Sequence, residues 1–147
     1  MSLSKGFLLD VNVLVAFTSV EHECHGMANR WFRSQRNAKW GVCPLTEAGF
    51  MRLATNPNTR LGMGNFPKAL AVLSNLARKP GYCYWPIHDS WATLTAQFAD
   101  RIFGHQQVTD AYLLGLAIQE DGVLVTFDKA IRYMAGPQFA SNLLILE

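Results

Sequence analysis

The sequence is short of charged residues. Only 16% of its 147 residues are Asp, Glu, Lys or Arg, against about 25% in an average globular protein, while 50% are hydrophobic. Because so few charges remain to cover the outside, we expect part of the surface to be buried against a partner or a second copy. The net charge of +2 is smaller than that of a dedicated nucleic-acid binder and does not by itself support that class.

Cysteine is also scarce, and long apolar runs are missing. The three cysteines, Cys24, Cys43 and Cys83, are widely spaced and form no CxxC pair, which excludes a zinc ribbon and a disulfide framework. Each is predicted to be a small core residue, as fits a reducing cytoplasm. No apolar run approaches the ~20 residues that span a bilayer, and Asp10 and Asn12 interrupt the apolar N-terminus where a signal peptide needs its core. We expect a soluble, cytoplasmic protein without a membrane segment.

Several functional motifs are absent as well. The sequence has no glycine-rich phosphate loop, no nucleophile elbow, no internal repeat and no linker-like tract. A chain of this length can bury a sizeable core without metal or disulfide support. We therefore predict one domain that covers residues 1–147.

Short apolar runs alternate with helical patterns along the chain. Strands are predicted at Phe7–Leu9 (continuing through 11–17), Trp40–Cys43, Tyr82–Trp85, Val123–Phe127 and Leu143–Leu146. Helices are predicted at about Glu21–Gln35, Thr46–Thr55 and Phe66–Arg78, from Ser90 to Ile102, from Thr109 to Ile118 and up to Met134, with Thr46, Ser90 and Thr109 as N-caps. The stretch Asn56–Asn65 is predicted to be a loop. This alternation predicts an α/β fold, an α/β/α sandwich around a central, mainly parallel sheet.

Four acidic residues stand at the ends of these elements. Asp10 and Asp128 close apolar strands, and Glu47 and Asp110 each follow a threonine at a helix start. Strand ends and helix starts of an α/β domain can converge on one crevice. Two like charges about 4 Å apart cost around 4 kcal/mol at an effective dielectric near 20, so such a cluster must take up protons or bind a hard divalent cation. The metal alternative points to metal-assisted hydrolysis of a phosphodiester, although each acid alone has an ordinary role as a turn, cap or helix-dipole residue.

The segments around these acids resemble the PIN domain, in particular the VapC-type toxins of bacterial toxin–antitoxin pairs. The matching segments are Leu8–Leu14, Leu45–Pro57, Val108–Ala117 and Leu124–Asp128, which follow the family order over nearly the whole chain. The resemblance implies a metal-dependent endoribonuclease with a PIN-like α/β/α sandwich, usually a homodimer and held inactive by a small cognate antitoxin protein. It also implies a catalytic quartet that holds Mg²⁺ or Mn²⁺, formed by Asp10, Glu47, Asp110 and Asp128. Asn12 and Thr126 match the polar residues beside the first and last acids.

The coordination chemistry of Mg²⁺ suggests a division of roles within the quartet. Mg²⁺ keeps several of its waters, so two or three carboxylates suffice as direct ligands. Our hypothesis is that Asp10 and Asp110 touch the metal most directly, while Glu47 and Asp128 hold water or a second ion. Asn12 and Thr126 would orient the carboxylates by hydrogen bonds.

RNA binding would need cations near this acidic site, because the carboxylates alone repel phosphate. The candidates by sequence position are Arg52, Arg60, Lys129 and Arg132, with His105 as a further substrate contact. For any one of these residues taken alone, a solvated surface position is favoured over RNA contact.

The sequence also offers alternatives to a nuclease. His22 and His25 are spaced to share a helix face, but they do not form an HExxH motif, and a surface helix face is favoured over metal ligation. The tryptophans suit core and interface packing better than base stacking. A phosphotransferase with Asp10 as nucleophile lacks its general acid, because Asn12 stands where that acid would be. A non-catalytic PIN-like scaffold for RNA or protein also remains open.

Overall fold

The predicted parallel sheet is present in the computed structural model, which describes residues 5–35, 37–59 and 64–147. Four strands lie in the order β2-β1-β3-β4, and every pair is parallel: β1 (Phe7–Leu9), β2 (Trp40–Gly41), β3 (Val123–Thr126) and β4 (Leu143–Ile145). The helices are α1 (Val11–Thr18), α2 (His25–Ser34), α3 (Pro44–Thr55), α4 (Phe66–Leu76), α5 (Trp91–Thr95), α6 (Val108–Gln119) and α7 (Ile131–Ala135). Short 3₁₀ turns lie at Ala99–Arg101, His105–Gln107 and Pro137–Asn142.

Helices cover both faces of the sheet. Leu8 and Leu124 are partners across β1 and β3 and lie in a core that includes α5, α6 and α7. The next pair, Leu9 and Val125, lies in a second core formed with α1, α3 and α4. Since successive strand residues point to opposite faces, two apolar cores enclose one sheet. The fold class is thus the predicted α/β/α sandwich.

The segment after β1 is a helix, and its prediction as a continued strand was wrong. The Asp10 side chain accepts a hydrogen bond from the Val11 amide, and the Asp10 carbonyl accepts one from the Leu14 amide. These bonds begin α1 directly at the end of β1. Val13 to Ala16 are all buried, so α1 has no polar face from which its helical period could be recognised.

Two helix starts lie upstream of the predicted caps. Helix α3 has Cys43 at its N-cap and Pro44 at its first position, where proline is well tolerated. Thr46 lies inside the first turn, where its hydroxyl accepts from the Cys43 amide and donates to the Cys43 carbonyl. Helix α6 begins at Val108 because the preceding 3₁₀ turn leads into it, so Thr109 is not its cap.

The predicted Ser90 cap is confirmed, but the helix that follows it is short. The Ser90 hydroxyl accepts the Thr93 amide, and α5 ends at Thr95. The Thr95 hydroxyl bonds back to the Trp91 carbonyl, a local alternative that weakens a helix. Phe98 then leaves helical geometry before the 3₁₀ turn at Ala99–Arg101.

The segment Tyr82–Trp85 runs along the outside of β2 without forming a full strand. It makes one parallel bridge, Trp40 to Tyr82, and the Cys83 and Trp85 amides donate to the carbonyls of Trp40 and Val42. A side chain on Gly41 would meet the carbonyl oxygen of Cys83. Glycine at position 41 is therefore what allows this close approach.

Gly41→Ala is expected to destabilise the protein by about 3 kcal/mol, because the new methyl group overlaps backbone that cannot move aside. Urea denaturation measures the change. Gly104→Ala is the matched control: its backbone is extended and open space surrounds the added Cβ, so its effect should stay within about 0.5 kcal/mol. Equal midpoints for the two variants would contradict the close packing at Gly41.

The prediction that each cysteine is a small core residue is confirmed for Cys43 and wrong for Cys24 and Cys83. Cys43 is completely buried, and burial raises the pKa of its thiol, which makes it a poor nucleophile. Cys24 and Cys83 are half-buried, and all three are free thiols. Within the described ranges no helix is long and apolar enough to cross a membrane.

Candidate active site

The carboxyl ends of the two central strands bring Asp10 and Thr126 together. The Asp10 amide still belongs to the sheet, since it donates to the Val125 carbonyl at 2.9 Å. The Thr126 hydroxyl donates to Asp10 Oδ2 at 2.7 Å, and the other carboxylate oxygen accepts from the Val11 amide at 2.7 Å. Asp10 is only 6% exposed. Its carboxylate is therefore held in one orientation at the floor of the site.

The Thr126 hydroxyl is the centre of a small polar network. Besides donating to Asp10, it accepts from the Asp128 amide at 3.0 Å and from Asn12 Nδ2 at 3.4 Å. The Asn12 side-chain oxygen in turn accepts from the Phe127 amide at 3.4 Å. Thr126 is completely buried. It thus ties the first acid to the turn that carries the last one.

Three of the four predicted acids are electrostatically coupled. Burial raises the pKa of Asp110 to about 7, and the charges of Asp10 and Asp128 add to that rise. Burial also raises the pKa of Asp10; hydrogen bonds from Thr126 and Val11 oppose the rise, and the charge of Asp128 adds to it. Strand β1, the turn after β3 and the first turn of α6 thus place mutually repelling carboxylates in one region.

Glu47 has different neighbours in this structure. It lies in the first turn of α3. Its charge adds to the effect of burial in raising the pKa values of Cys43, Tyr82 and Tyr84. Burial raises the pKa of Tyr84 to about 12, with the charge of Glu47 and a hydrogen bond to it as further causes. Burial and then Glu47 also raise the pKa of Tyr82. No sequence pattern predicts this pair of tyrosines beside the acid.

The coupled carboxylates have the chemistry that Mg²⁺ or Mn²⁺ requires. Hard divalent cations bind oxygen ligands, and a cation would offset both the burial and the charges of Asp10 and Asp128 that raise the pKa of Asp110. Over residues 5–35, 37–59 and 64–147, no three His, Cys, Asp or Glu side chains form a ready-made ligand group. An ion held by Asp10, Asp110 and Asp128 would therefore have to retain part of its water shell.

The histidine pair has a local structural role. His22 precedes α2, so it shares no helix face with His25, contrary to the expectation from spacing. The His22 Nδ1 atom accepts the Cys24 amide, while the His25 ring lies 2.8 Å from the Ala16 carbonyl and 3.1 Å from Asn29 Nδ2. These bonds organise the turn that leads into α2.

The candidate RNA-binding cations that lie within the described residues are exposed. Lys129 follows Asp128 directly, and Arg132 lies on α7, where its guanidinium pairs with Glu147 at 3.0 Å. Arg52 is in the last turn of α3, and His105 begins the 3₁₀ turn before α6. Arg60 lies outside the described residues. RNA contact by these side chains stays a prediction.

In metal-free protein the repulsion at Asp110 should make stability fall as pH rises. The ordinary Asp pKa is 3.8, and burial together with the charges of Asp10 and Asp128 raises it to about 7 in the folded protein. Between these two pH values the folded state binds more protons than the unfolded state, so the free energy of unfolding decreases as pH rises. In EDTA we expect the melting temperature at about pH 8 to lie roughly 2–5 °C below that at pH 5.5. Asp110→Asn should remove most of that difference, which differential scanning calorimetry can measure. An unchanged difference in the variant would assign it to other groups.

The fold and site together define a class: parallel α/β/α sandwiches that collect carboxylates where the central strands end. Within this class, the family model described as the PIN domain matches residues 7–137, which is most of the chain. The chain belongs to the PIN-domain family. The resemblance seen in the sequence is therefore confirmed.

Two relatives are similar to this chain over most of its length. Ribonuclease VapC38 of Mycobacterium tuberculosis is 38% identical over 128 residues, covering 87% of this chain and 89% of the relative. Ribonuclease VapC39 of the same organism is 36% identical over 124 residues, covering 84% and 89%. These matches span nearly the full length of both relatives.

A solved structure supports the fold independently of sequence. One chain in the crystal structure of VapBC2 from Rickettsia felis bound to a DNA fragment from its promoter superposes with a TM-score of 0.64. The alignment covers 96% of this chain and 98% of that chain at 13% identity. At that identity the comparison concerns the fold alone.

Proposed function

We propose that this protein is a metal-dependent endoribonuclease, the toxin of a toxin–antitoxin pair, that hydrolyses RNA phosphodiester bonds at the Asp10, Asp110 and Asp128 centre. The observation that carries the proposal is the coupling of these three carboxylates, drawn from separate segments of the chain. Protein folds avoid such repulsion unless a cation or proton offsets it. The ribonuclease names of the VapC relatives supply the reaction class.

The three acids would divide the work by their environment. Asp10 is buried and fixed by two hydrogen bonds, so it is the best-positioned direct ligand. A cation would stabilise the ionised form of Asp110, because burial and then the charges of Asp10 and Asp128 raise the pKa of that carboxyl. The Asp128 amide donates to the Thr126 hydroxyl. The Asp128 carboxylate accepts a hydrogen bond from the Ala130 amide at 2.9 Å.

Glu47 would complete the proposed quartet from the first turn of α3. It interacts with Tyr84, because burial and then Glu47 raise the pKa of that phenol to about 12. The phenol therefore stays protonated at neutral pH and can donate to the Glu47 carboxylate. We assign Glu47 to holding water or a second ion, with Tyr84 fixing its orientation.

Mg²⁺ or Mn²⁺ at this centre would offset the charge on the scissile phosphate and make a bound water more acidic. The chain supplies the rest of the site. Thr126 and Asn12 keep the carboxylates at the strand ends oriented, and the cations Lys129 and Arg132 beside Asp128 would attract the phosphates on either side.

A cognate antitoxin and a second copy of the chain are the proposed protein partners. The low share of charged residues and several exposed apolar side chains, among them Val20 and Leu53, leave surface for an apolar helix of a small antitoxin to cover. Co-expression with the small gene next to this one should yield a complex and relieve toxicity. Independent purification of the two proteins would contradict this part of the proposal.

The alternatives have less support. A phosphotransferase of this kind needs a general acid two residues after Asp10, but that position is Asn12, whose amide is engaged with Thr126 and Phe127. A non-catalytic scaffold has no need for three repelling carboxylates. Metal titration separates the scaffold from the nuclease, and trapping of a phosphate mimic on Asp10 would revive the phosphotransferase.

Cleavage of total cellular RNA by partner-free protein tests the proposed activity. With Mg²⁺ or Mn²⁺ we expect discrete fragments, which EDTA and Asp10→Asn should abolish. Asp100→Asn is the control, because Asp100 is an exposed acid in a 3₁₀ turn and its change should leave the fragments intact. The proposal would fail if RNA stayed uncut with either metal, or if Asp10→Asn cut as well as wild type.

A further inference from the structure

An open groove runs along the outer side of strand β4. It has a volume of about 1190 Å³ and lies between β4, the end of α7 and the 3₁₀ turn at Pro137–Asn142. Strand β4 pairs with β3 on one side and, within the described residues, with no strand on the other. An edge strand presents unpaired backbone N–H and C=O groups on its outer side. One wall of the groove therefore offers hydrogen-bonding groups of the main chain.

The pairing of β4 with β3 shows which backbone groups these are. The Leu146 amide donates to the Thr126 carbonyl at 2.9 Å and so points toward β3. Because neighbouring amides along a strand point in opposite directions, the amide and carbonyl of Ile145 point away from β3, toward the groove. The Leu143 amide is already bonded to the Ala140 carbonyl. Ile145 thus offers one donor and one acceptor to an added strand.

The edge strand is also apolar. Leu143, Leu144 and Ile145 are all half-buried, whereas most residues of β1 and β3 are completely buried. Edge strands of soluble proteins are often protected by a charged residue or a proline within the strand, and β4 contains neither. A segment that covered β4 would therefore remove apolar side chains from water while it satisfied the backbone groups.

The wall opposite β4 is fixed by Arg101. Its guanidinium donates to the carbonyls of Met134 and Ala135 at 2.9 and 3.3 Å. These bonds tie the end of α7 to the segment that precedes α6, and Arg101 and Ala135 both line the groove. The groove is thus preformed, so a ligand would not have to order this wall on binding.

Positive side chains outnumber negative ones along the groove. Arg101, Lys129 and Arg132 line it, and Glu147 is the acid among the described residues of the lining. Arg101 bonds to neutral carbonyls, and over the described ranges Lys129 forms no ion pair. Arg132 pairs with Glu147 at 3.0 Å, but both side chains are exposed, and exposed ion pairs are weak. A second copy would bring the same positive excess, so charge complementarity favours an acidic partner.

We propose that an extended, acidic segment of a partner protein binds in this groove and adds a strand to the outer edge of β4. Its main chain bonds to Ile145, its apolar side chains cover β4, and its carboxylates pair with Lys129 and Arg132. A nucleic-acid backbone also carries negative charge, but it lacks the regular N–H and C=O groups that match a strand edge. A bound segment would cover the two cations that the proposed function assigns to RNA phosphates. Binding itself does not depend on the nuclease activity.

Fluorescence anisotropy of a labelled peptide, titrated with the full chain in EDTA and without RNA, tests the proposal. The peptide has about six residues, the usual strand length, and alternates valine with glutamate. We expect saturable binding to wild type that weakens at least about fivefold in the double variant Lys129→Gln with Arg132→Gln. Arg30→Gln with Arg33→Gln is the matched control, because it removes two exposed cations from α2, outside the groove. It should bind like wild type.

A peptide of the same sequence with every amide N-methylated tests the added strand. It keeps the charges and loses the backbone donors, so we expect it not to bind. Equal binding of this peptide, or of a uridine oligonucleotide of the same charge, would make the groove a general polyanion site and overturn the proposal. So would no binding of the parent peptide, or a wild-type dimer in sedimentation velocity that Ile145→Lys dissociates, which would assign the groove to a second copy. Melting curves confirm that each variant folds. Because neither metal nor RNA is present, failure of the proposed nuclease would leave these results unchanged.

Discussion

Asp110→Asn is expected to reduce metal-dependent RNA cleavage by about 10³-fold, the equivalent of about 4 kcal/mol in transition-state stabilisation, while raising the stability of metal-free protein. The two effects have opposite signs because one charge causes both. Without a cation, ionised Asp110 is partly buried and repelled by Asp10 and Asp128. With a cation, the same charge helps to hold it.

The stability effect is measured in EDTA at about pH 8, where Asp110 is mainly ionised. The neutral amide should raise the melting temperature by roughly 3–6 °C, taking about 2–4 °C per kcal/mol for a chain of this size. Mn²⁺ should stabilise wild type and leave Asp110→Asn nearly unchanged. Asp100→Asn should show neither effect. A variant that is inactive and also less stable than wild type would mean that Asp110 supports the fold, not the reaction.

Thr126→Val is a second substitution with a large expected effect. Valine matches threonine in shape but removes the hydroxyl that donates to Asp10 and accepts from the Asp128 amide. Both groups then lose a partner in a completely buried position, which costs about 1–3 kcal/mol. Cleavage should fall about 10- to 100-fold, the usual effect of removing a group that orients metal ligands.

Thr126→Ser separates this role from packing. Serine keeps the hydroxyl and loses one methyl group, so we expect a stability loss of about 1 kcal/mol and near wild-type cleavage. Urea denaturation and initial cleavage rates of both variants decide the matter. If valine cut RNA as fast as serine, the hydroxyl network would have no part in positioning the acids.

The sequence was most informative where local patterns and topology agree. Buried runs such as Val123–Phe127 bounded by turn residues predict strands, and their alternation with helices predicts a parallel sheet. Because the carboxyl ends of parallel strands lie at one edge of a sheet, Asp10 and the Asp128 turn could be expected to meet. The coupling of Asp10, Asp110 and Asp128 agrees with that expectation.

Other features depend on contacts that no local pattern contains. Helix α1 was predicted as a strand because it is apolar on nearly every side, and only its burial in the second core explains that composition. Glu47 is near Tyr84 because the chain returns beside β2 after α4. The ring contact between Phe103 and Tyr133 joins residues 30 positions apart, and no local sequence pattern predicts it.

The central claim is that carboxylates from separate elements form one divalent-cation site. Isothermal titration of metal-free, partner-free protein with Mn²⁺ tests it most directly, with Asp10→Asn and Asp110→Asn titrated under the same conditions. We predict saturable binding by wild type that either substitution weakens at least about tenfold, the lower end expected when a metal site is disturbed. Absence of Mn²⁺ binding by wild type, or equal binding by all three proteins, would contradict the claim.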